Sequence, residues 1–450
     1  MNTLTSQEIL KRIRDAGVVG AGGGGFPTHV KLQAKVEVVI ANGAECEPLA
    51  RVDQQQMAAQ PRKVLRGLQL AMQATGAAQG VVALKAKYHD AEDRLNEAIA
   101  RAGLKDSIRL HLLNDFYPAG DEFVLVHEVL GRAIPEFGLP RDVGAVVSNV
   151  GTLIDVADAA DELKPVTHRW VTVAGEVRKP ASFRVPIGTP LSLLVQAAGG
   201  SRINNPRFIL GGPMMGALVP GPDRPVTKTD SLVLVLHEDH QVVQRRTRDF
   251  ARRLHHTRAS CLKCMMCSEI CPRFLLGHRL FPDRLMRNVA AGITEDVEAF
   301  SGAALCSECG LCTVYACVVN LDPCYMNREF KRRLQAAGVP RLTPQPASTP
   351  HRFAPLRRVP GRRLIARLNV SAYDLPAPLA DLALKAPRLV VMLKQHAGAP
   401  AVPVVQKGQK VRAGDLLADI REGALGARVH AGLAAAVSDV TPDSIILDAE

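Results

Sequence analysis

Eight of the ten cysteines in this chain of 450 residues stand in two clusters whose spacing suits iron–sulfur chemistry. The first reads C-x2-C-x2-C-x3-C-P and consists of Cys261, Cys264, Cys267 and Cys271. The second reads C-x2-C-x2-C-x4-C and consists of Cys306, Cys309, Cys312 and Cys317. In two-cluster ferredoxins, three closely spaced thiolates bind one cubane and the distant fourth cysteine binds the other. The spacing therefore predicts two [4Fe-4S] clusters, with Cys317 completing the first and Cys271 the second.

Structural zinc is the alternative interpretation of these thiols. Zinc sites usually combine CxxC pairs separated by a spacer, and triplets of cysteines fit that pattern poorly. The two remaining cysteines, Cys46 and Cys324, do not make a disulfide framework. These observations indicate a reducing, cytoplasmic setting and a chain that transfers electrons.

The composition indicates a globular protein with room for roughly three domains. Hydrophobic residues make up 47% of the chain, yet no run approaches the ~18 apolar residues of a membrane span. The net charge of +12 is concentrated from Lys331 to Arg367, where ten basic residues and several prolines occur without an acid. This pattern predicts an extended linker over 336–380, either a solvated spacer or a docking segment for an acidic partner. Nucleic-acid binding is not expected, because no recognition motif accompanies the charge.

The elements that must position these groups follow from the apolar pattern. Between about 35 and 150, strand-like runs begin at Glu37, Val81, Ser107 and Gly144 and alternate with helical stretches. Such alternation predicts an α/β domain with a parallel sheet. The charged N-terminal segment has apolar residues on one helical face, which predicts an amphipathic helix rather than a signal peptide.

Three further segments differ in pattern. From 165 to 240, period-two runs such as WVTVAGEV from Trp170 surround an apolar helix from Pro190, which predicts a small α+β module. Within it, FILGGPMMG from Phe208 is expected to bring glycine-rich backbone close to another group. The cysteine region, 245–335, is predicted to be mostly helical. The segment VVQKGQKVRAGDLLADI from Val404 predicts half of a small flattened β-barrel.

A glycine-rich loop near the N-terminus matches G-x-G-x-x-G at Gly20, Gly22 and Gly25. A Rossmann site requires a strand before this loop and a helix after it. Here a charged amphipathic helix precedes the loop and Phe26-Pro27 follow it, so the Rossmann interpretation is disfavoured. Backbone without Cβ atoms can still approach a flat ring or a phosphate closely. A purely structural glycine turn is the alternative.

Four motifs in the same order resemble the NADH-binding flavoprotein subunit of respiratory complex I. GAGGGGFPTHVK from Gly20 is similar to the flavin loop GRGGAGFPTGLKW of that family, and NGAECEP from Asn42 is similar to its NADESEP. GDE from Gly120 is similar to its GEE, and SNVGT from Ser148 to its NNVET. Four matches over about 130 residues are far more specific than any single glycine pattern. The resemblance implies noncovalent FMN, with NADH as the electron donor.

The resemblance also implies which residues surround the cofactor. Lys31 is expected close to the flavin or its phosphate. The other implied residues are the loop residues Gly20, Gly22, Gly23, Gly24, Gly25 and Phe26, and the pocket residues Asn42, Glu45, Glu47, Gly120, Asp121, Glu122, Asn149 and Thr152. Two positions depart from the family pattern: Ala21 stands where the family has an arginine, and Gly151 replaces the acid of NNVET. We therefore expect rearranged cofactor contacts.

The remaining modules indicate the branch of the family. The segment from Val171 resembles a soluble-ligand-binding β-grasp (SLBB) domain, and the tail resembles the barrel-sandwich module of the RnfC subunit of Rnf complexes. No lysine follows Lys410, so the tail is not expected to carry a lipoyl-type cargo. RnfC carries its barrel before the flavin domain, whereas a C-terminal barrel is typical of the PduS-type cobalamin reductases of propanediol-utilisation microcompartments. The second cysteine motif also resembles the PduS form CxECGLCTLYxCP, with Val318 in place of its proline.

Together these patterns predict an α/β protein with five parts. They are an FMN/NADH-binding domain (1–160), an SLBB β-grasp module (165–240), a helical 4Fe-4S dicluster domain (245–335), the basic linker (336–380) and a barrel-sandwich module (385–450). FMN can take a hydride and release single electrons. The resemblance therefore implies electron transfer from NADH through FMN and two clusters to a corrinoid.

The same resemblance implies a corrinoid or its adenosyltransferase as acceptor and a microcompartment shell protein as partner. It places the protein in the cytoplasm or inside such a microcompartment. One alternative is an RnfC-like subunit through which NADH electrons enter a membrane complex. The alternative from another class is a metal-stabilised scaffold without redox chemistry.

Overall fold

Four structural modules follow one another in the computed structural model, which describes residues 4–345, 349–380 and 386–449. Parts of the predicted ranges, including Pro346 of the linker and Lys385 and Glu450 of the barrel module, lie outside the described residues. Within the described ranges, no helix is both long and apolar enough to cross a lipid bilayer. The arrangement confirms the predicted α/β class with its β-grasp, helical and barrel modules.

The N-terminal domain is built on a parallel sheet. Its strands are β1 (Val38–Gly43), β2 (Gln79–Lys85), β3 (Ile108–Leu113), β4 (Phe116–Tyr117) and β5 (Ala145–Asn149). Its helices are α1 (Ser6–Asp15), α2 (Thr28–Lys31), α3 (Val52–Ala59), α4 (Pro61–Thr75), α5 (His89–Arg101), α6 (Glu122–Leu130) and α7 (Val150–Glu162). Four strands pair in parallel in the order β3-β2-β1-β5. Val39 and Ala41 pack into one core and Ile40 into another, so both faces of the sheet are covered.

Helix α1 confirms the predicted amphipathic N-terminal helix. Thr5 and Glu8 form a capping box at its start, which satisfies two backbone amides. Ile9 and Ile13 lie on the buried face and are fully excluded from solvent. The helix thus places the glycine loop that follows it against the domain core.

The β-grasp module follows, with strands on either side of one helix. The elements are β6 (His168–Gly175), β7 (Ala181–Pro186), α8 (Leu191–Ala197), β8 (Pro206–Leu210), β9 (Ala217–Val219) and β10 (Leu232–His237). The sheet order runs β7-β6-β10-β8-β9, and β10 is parallel to β6. Lys228 joins this module to its neighbours, because its Nζ donates to the carbonyl oxygens of Gly17 and Arg428, both at 2.6 Å.

The cysteine domain is helical in its described part. Its helices are α9 (Gln241–Thr247), α10 (Phe250–Ser260), α11 (Met266–Glu269), α12 (Pro272–Leu275), α13 (Pro282–Ala291), α14 (Val297–Ser301) and α15 (Pro323–Ala336). Proline begins α12, α13 and α15, a position where its missing N–H costs nothing. Most of the cysteines lie on the turns between these short helices, where the backbone can wrap around a group.

The basic segment after this domain is packed, so the prediction of an extended linker is wrong for its later part. It forms β11 (Val359–Pro360), α16 (Gly361–Arg367) and β12 (Leu379–Ala380). Strand β11 pairs with β4 of the N-terminal domain, and β12 pairs with β7 of the β-grasp module. Leu364 and Val370 are fully buried in the interface. These widely spaced apolar residues hold the segment down despite its charge and prolines.

Carboxylates of the same chain neutralise part of this basic segment. Arg357 Nη2 lies 3.1 Å from Glu269 Oε2, and Arg358 pairs with Glu128. Arg367 Nε donates to the carbonyl oxygen of Val314 at 3.0 Å. Acidic groups expected on a separate partner are thus supplied in part from within the protein.

The C-terminal module is a small barrel of two antiparallel sheets, as predicted. Its strands are β13 (Arg388–Met392), β14 (Val402–Pro403), β15 (Lys410–Val411), β16 (Leu416–Asp419), β17 (Val429–His430), β18 (Ala435–Val440) and β19 (Ser444–Ala449). The sheet orders are β13-β19-β18-β15 and β14-β16-β17. Leu389, Leu417 and Leu447 are fully buried between them.

Candidate functional site

The glycine loop connects α1 to α2 and presents bare backbone to open space. Gly20 N donates to the Phe26 carbonyl oxygen at 3.0 Å, and Gly25 N donates to the Gly20 carbonyl oxygen at 3.2 Å, which closes the loop. Gly23 has φ +97°, a conformation that side chains rarely adopt. A Cβ added at Gly23 or Gly24 would meet nothing within 4 Å. The loop therefore leaves room for a group to approach its backbone.

The same loop borders a cavity of about 300 Å³. Gly24, Phe26, Lys31 and Glu122 line it, together with apolar side chains such as Val147. Lys31 Nζ donates to Glu122 Oε1 at 3.0 Å and to the Val147 carbonyl oxygen at 2.7 Å. Apolar walls for a flat ring, open glycine backbone and one ammonium group beside it fit flavin mononucleotide.

Three further predicted residues fix the backbone near this cavity. Asn42 Nδ2 donates to the Gly120 carbonyl oxygen at 3.0 Å, and Gly120 N donates to Cys46 Sγ at 2.7 Å. Burial raises the pKa of Cys46 to about 11, so this thiol stays neutral at physiological pH. Ala21 N donates to Thr152 Oγ1 at 2.8 Å, which ties the glycine loop to α7.

Glu45 belongs to a half-buried carboxylate pair whose second member, Asp53, was not predicted. Glu45 Oε1 accepts from Asp53 N at 2.8 Å, at the start of α3. Asp53 Oδ2 accepts from Asn149 Nδ2 at 2.7 Å. Burial, and then the neighbouring Glu45 carboxylate, raise the pKa of Asp53 to about 8. In the sequence, only its position eight residues after Glu45 could have indicated Asp53 as a partner of that carboxylate. Such a spacing is not distinctive.

The two positions that depart from the family pattern lie next to each other. A Cβ added at Gly151 would be 3.6 Å from Ala21 Cβ. Gly151 N donates to Asn149 Oδ1 at 2.8 Å, which caps α7. Small side chains at both positions therefore open the same part of the domain.

Glu47 lies away from the glycine-loop cavity, which differs from its predicted location. Its carboxylate accepts from Met214 N at 3.0 Å and from Met215 N at 2.7 Å, in the β-grasp module. A Cβ at Gly212 would stand 2.4 Å from Glu47 Oε2, so only glycine allows this approach. Burial raises the pKa of Glu47 to about 7. The sequence predicted that FILGGPMMG brings its glycine-rich backbone close to another group. In the structure that group is the Glu47 carboxylate.

Asp121 also points out of the cavity, toward the cysteine domain. Its Oδ1 and Oδ2 accept from Arg273 Nη1 and Nη2 at 2.6 and 3.1 Å. Asp121 Oδ1 additionally accepts from the first amides of α6, those of Phe123 and Val124. Tyr117 Oη donates to the Cys309 carbonyl oxygen at 2.7 Å across the same boundary. These contacts bring the N-terminal domain against the second cysteine motif.

The structure gathers the eight predicted cysteines into two groups. Cys261, Cys264, Cys267 and Cys317 line one small cavity of about 30 Å³. Burial raises the pKa of Cys267 strongly, and Cys264 is exposed. Cys317, from the second motif, therefore lies with the triplet of the first.

The second group contains Cys271, Cys306, Cys309 and Cys312. Burial raises the pKa of Cys309, and the proximity of Cys271 raises it further. Burial also raises the pKa of Cys271, to about 12, with Cys306 contributing in the same direction. Cys324, for which no role was predicted, lies within hydrogen-bonding reach of Cys306 and Cys312.

The donor set of both groups fits iron–sulfur clusters. All members are thiols, and a cluster would supply the positive charge that lets buried thiols ionise. Thiolates also bind zinc, so the preference for iron–sulfur clusters rests on the triplet spacing of the cysteines.

Four family descriptions match successive parts of the chain. They are the Nuo51 FMN-binding domain (residues 13–158), the SLBB domain (170–218), the 4Fe-4S dicluster domain (260–322) and the RnfC barrel sandwich hybrid domain (376–449). The glycine-loop cavity lies in the first and both cysteine groups lie in the third. A flavin-binding domain joined to iron–sulfur sites defines an electron-transferring oxidoreductase.

Relatives along the whole length then identify the family. The chain is 43% identical over 443 residues to "Cobalamin reductase PduS" of Salmonella typhimurium, which covers 98% of this chain and 97% of that protein. It is 42% identical over 440 residues to "Cobalamin reductase PduS" of Citrobacter freundii, with 98% and 96% covered. The chain belongs to the PduS family of cobalamin reductases, which confirms the resemblance found in the sequence.

More distant similarities cover parts of the chain. One subunit of the Na(+)-translocating ferredoxin:NAD(+) oxidoreductase complex of Acetobacterium woodii is 34% identical over 277 residues, 60% of this chain and 59% of that protein. An NAD+-reducing [NiFe]-hydrogenase crystallised in the H2-reduced state matches 74% of this chain and 62% of its own, with TM-score 0.50 and 23% identity. The hydrogenase likeness supports the fold alone.

Proposed function

We propose that the protein transfers electrons from NADH, through FMN and two [4Fe-4S] clusters, to a corrinoid. The observation that carries this proposal is the boundary shared by the flavin-type domain and the second cysteine group. Arg273, two residues after Cys271, pairs with Asp121, and Tyr117 bonds to the Cys309 backbone. In a chain of the cobalamin reductase family, this contact joins the two parts that such a transfer requires.

We assign FMN to the glycine-loop cavity. When bound, FMN exchanges a hydride with a nicotinamide and single electrons with iron–sulfur clusters. Gly23 and Gly24 would let the loop backbone approach it, and Lys31 would offer an ammonium group to its phosphate or ring. Thr152 would hold the loop by its bond to the Ala21 amide. The nicotinamide is assigned to the same side of the domain.

We assign one cluster to Cys261, Cys264, Cys267 and Cys317 and the other to Cys271, Cys306, Cys309 and Cys312. This crossed assignment rests on the spacing of the motifs and on the cavity that Cys317 shares with the first triplet. The buried Cys271, Cys309 and Cys312 would limit the access of water to a cluster bound there.

Partners and location are assigned by the order of the modules. We propose a corrinoid, either free or bound to its adenosyltransferase, as the acceptor. A location in the cytoplasm, within a microcompartment and in contact with a shell protein, is the corresponding proposal.

A second candidate is an NADH-entry subunit of an ion-translocating membrane complex. The 34% identity to the Acetobacterium woodii protein favours it. That similarity covers 60% of this chain, whereas the similarity to the cobalamin reductases covers 98%. The corrinoid reductase is therefore the better-supported function.

Anaerobic absorption spectroscopy tests the proposal. The purified protein should carry flavin bands over a broad iron–sulfur shoulder, and both should bleach when NADH is added. Cob(II)alamin added next should be reduced while the bands recover. Bleaching without any reaction with cob(II)alamin would refute the corrinoid acceptor, and a colourless protein would refute redox function altogether.

A further inference from the structure

A polar cavity of about 320 Å³ lies between the β-grasp module and the cysteine domain. One wall is the segment 213–218, which runs into β9, and another is the start of α15 from Cys324 to Arg328. Gly310, which directly follows Cys309, also lines it. The cavity is separate from the glycine-loop cavity and lies beside the second cysteine group.

The lining of this cavity carries an excess of positive charge. Its guanidinium groups belong to Arg245, Arg246, Arg253 and Arg328. Of its two carboxylates, Glu308 pairs with Lys331 at 3.0 Å and Asp322 pairs with Arg253. Among the described residues, no carboxylate lies within ion-pairing distance of the other three arginines. The cavity is thus suited to an anion.

Of the three arginines without an ion pair among the described residues, Arg245 and Arg328 keep N–H donors available, whereas the Arg246 guanidinium is already engaged. Arg246 is held by the carbonyl oxygens of Gly216 and Pro213, at 2.8 and 2.9 Å. Arg245 uses Nη2 for Asn320 Oδ1. Among the described residues the exposed Arg328 has no hydrogen bond or ion pair, and it lies 5.2 Å from the centroid of the Tyr325 ring. A guanidinium has five N–H donors, so Arg245 and Arg328 can each bind an anion.

We propose that this cavity binds the phosphodiester of the corrinoid acceptor, an inference that rests on the proposed function. Planar guanidinium groups match phosphate oxygens in pairs, which gives both affinity and orientation. The volume admits a phosphodiester with its sugar, and the corrin ring stays at the mouth. The exposed Met215, together with Leu218, offers apolar surface to the ring. Binding here holds the corrinoid next to the second cysteine group.

Binding of two corrinoids to the anaerobic holoprotein tests the proposal. Cob(II)alamin contains the phosphodiester, whereas cob(II)inamide has the same ring without phosphate or base. The parent protein should bind cob(II)alamin more tightly, and Arg328→Gln should weaken that binding about tenfold through loss of a charged hydrogen bond. Binding of cob(II)inamide should not change. Arg332→Gln is the matched control, because Arg332 lies one turn further along α15 and pairs with Glu329 outside the cavity.

Three outcomes would overturn the site. The first is that the parent protein binds both corrinoids with equal affinity. The second is that Arg328→Gln weakens the binding of both corrinoids equally. The third is that the double variant Arg245→Gln/Arg328→Gln binds cob(II)alamin with unchanged affinity. A raised KM for NADH in the variant would instead place the NADH pyrophosphate there, which also refutes the proposal. If cob(II)inamide is reduced as fast as cob(II)alamin, the proposed site is refuted and the proposed function is not. No reduction of either corrinoid by the parent would sink the proposed function.

Discussion

Replacing Arg273 by methionine tests how the N-terminal domain and the cysteine domain are held together. The Arg273 and Asp121 side chains are 9% and 12% exposed, and two hydrogen bonds join them. The guanidinium carbon also lies 3.7 Å from the centroid of the Phe123 ring. Methionine keeps part of the apolar contact but removes both hydrogen bonds and the guanidinium–ring contact, so a second variant at Asp121 is needed to isolate the ion pair.

The expected loss of stability at this boundary is about 3 kcal/mol. Removing one partner of a buried ion pair costs about 3–5 kcal/mol, because the remaining charge is left without compensation. Asp121 still accepts from the amides of Phe123 and Val124, which favours the lower end. A chain of several domains has no single unfolding free energy, so hydrogen exchange is the suitable assay. Amides at the start of α6 and in α12 should exchange about a hundredfold faster.

A matched control and a double-mutant cycle decide the outcome. Arg332→Met removes the ion pair between the exposed Arg332 and Glu329, which keeps Arg333 as a partner, so the free energy of exchange should change by less than about 1 kcal/mol. If Arg273 acts through Asp121, the double variant Asp121→Asn/Arg273→Met loses less than the sum of the single losses by more than about 0.5 kcal/mol. Additive losses, or a single loss below about 1 kcal/mol, would refute the reasoning.

Three further predictions concern the candidate sites. Burial raises the pKa of Glu47 from 4.5 to about 7, so folding stability from this group falls as pH rises across that range. Glu47→Gln should remove this dependence, worth about 2.5 kcal/mol, when hydrogen exchange at the amides of Met214 and Met215 is compared at pH 5 and pH 8. Gly24→Val should lower flavin bound per chain without loss of stability, whereas Gly221→Val, at an equally open position, should retain the flavin. Cys317→Ser should lose about half the iron, and its remaining electron paramagnetic resonance signal should match that of Cys264→Ser. A match to Cys306→Ser instead would refute the crossed grouping.

Features written in local sequence were predictable. Buried parallel strands appear as continuous apolar runs, and residues 38–41 of β1 are such a run. The amphipathic period of α1 and its Thr5–Glu8 box are also contained within one short segment. The family motifs also assigned segments that are far apart in the sequence to one site. In the structure the Ala21 amide of one motif donates to Thr152 Oγ1 of another. Local pattern and motif order thus account for the modules and for the glycine-loop cavity.

Contacts between modules were not predictable, because neither of the two contacting residues belongs to a sequence pattern that indicates the other. Glu47 and Asp121 belong to motifs of the flavin-type domain, yet their carboxylates bind Met215 and Arg273 of other modules. The basic segment was misjudged for the same reason. Its charge and prolines are continuous in sequence, whereas the buried Leu364 finds its partners only in the folded chain.

The departures at Ala21 and Gly151 are best understood as one structural change. The two positions lie close together, since a Cβ added at Gly151 would be 3.6 Å from the Ala21 Cβ. Arg169 of the β-grasp module then reaches this region, with Nη1 3.0 Å from Asp155 Oδ2 and Nη2 3.5 Å from the Ala21 carbonyl oxygen. A guanidinium therefore still faces the glycine loop, but it comes from the neighbouring module and is already paired. The glycine loop is consequently held at Ala21 from two sides, by Thr152 of its own domain and by Arg169 of the β-grasp module.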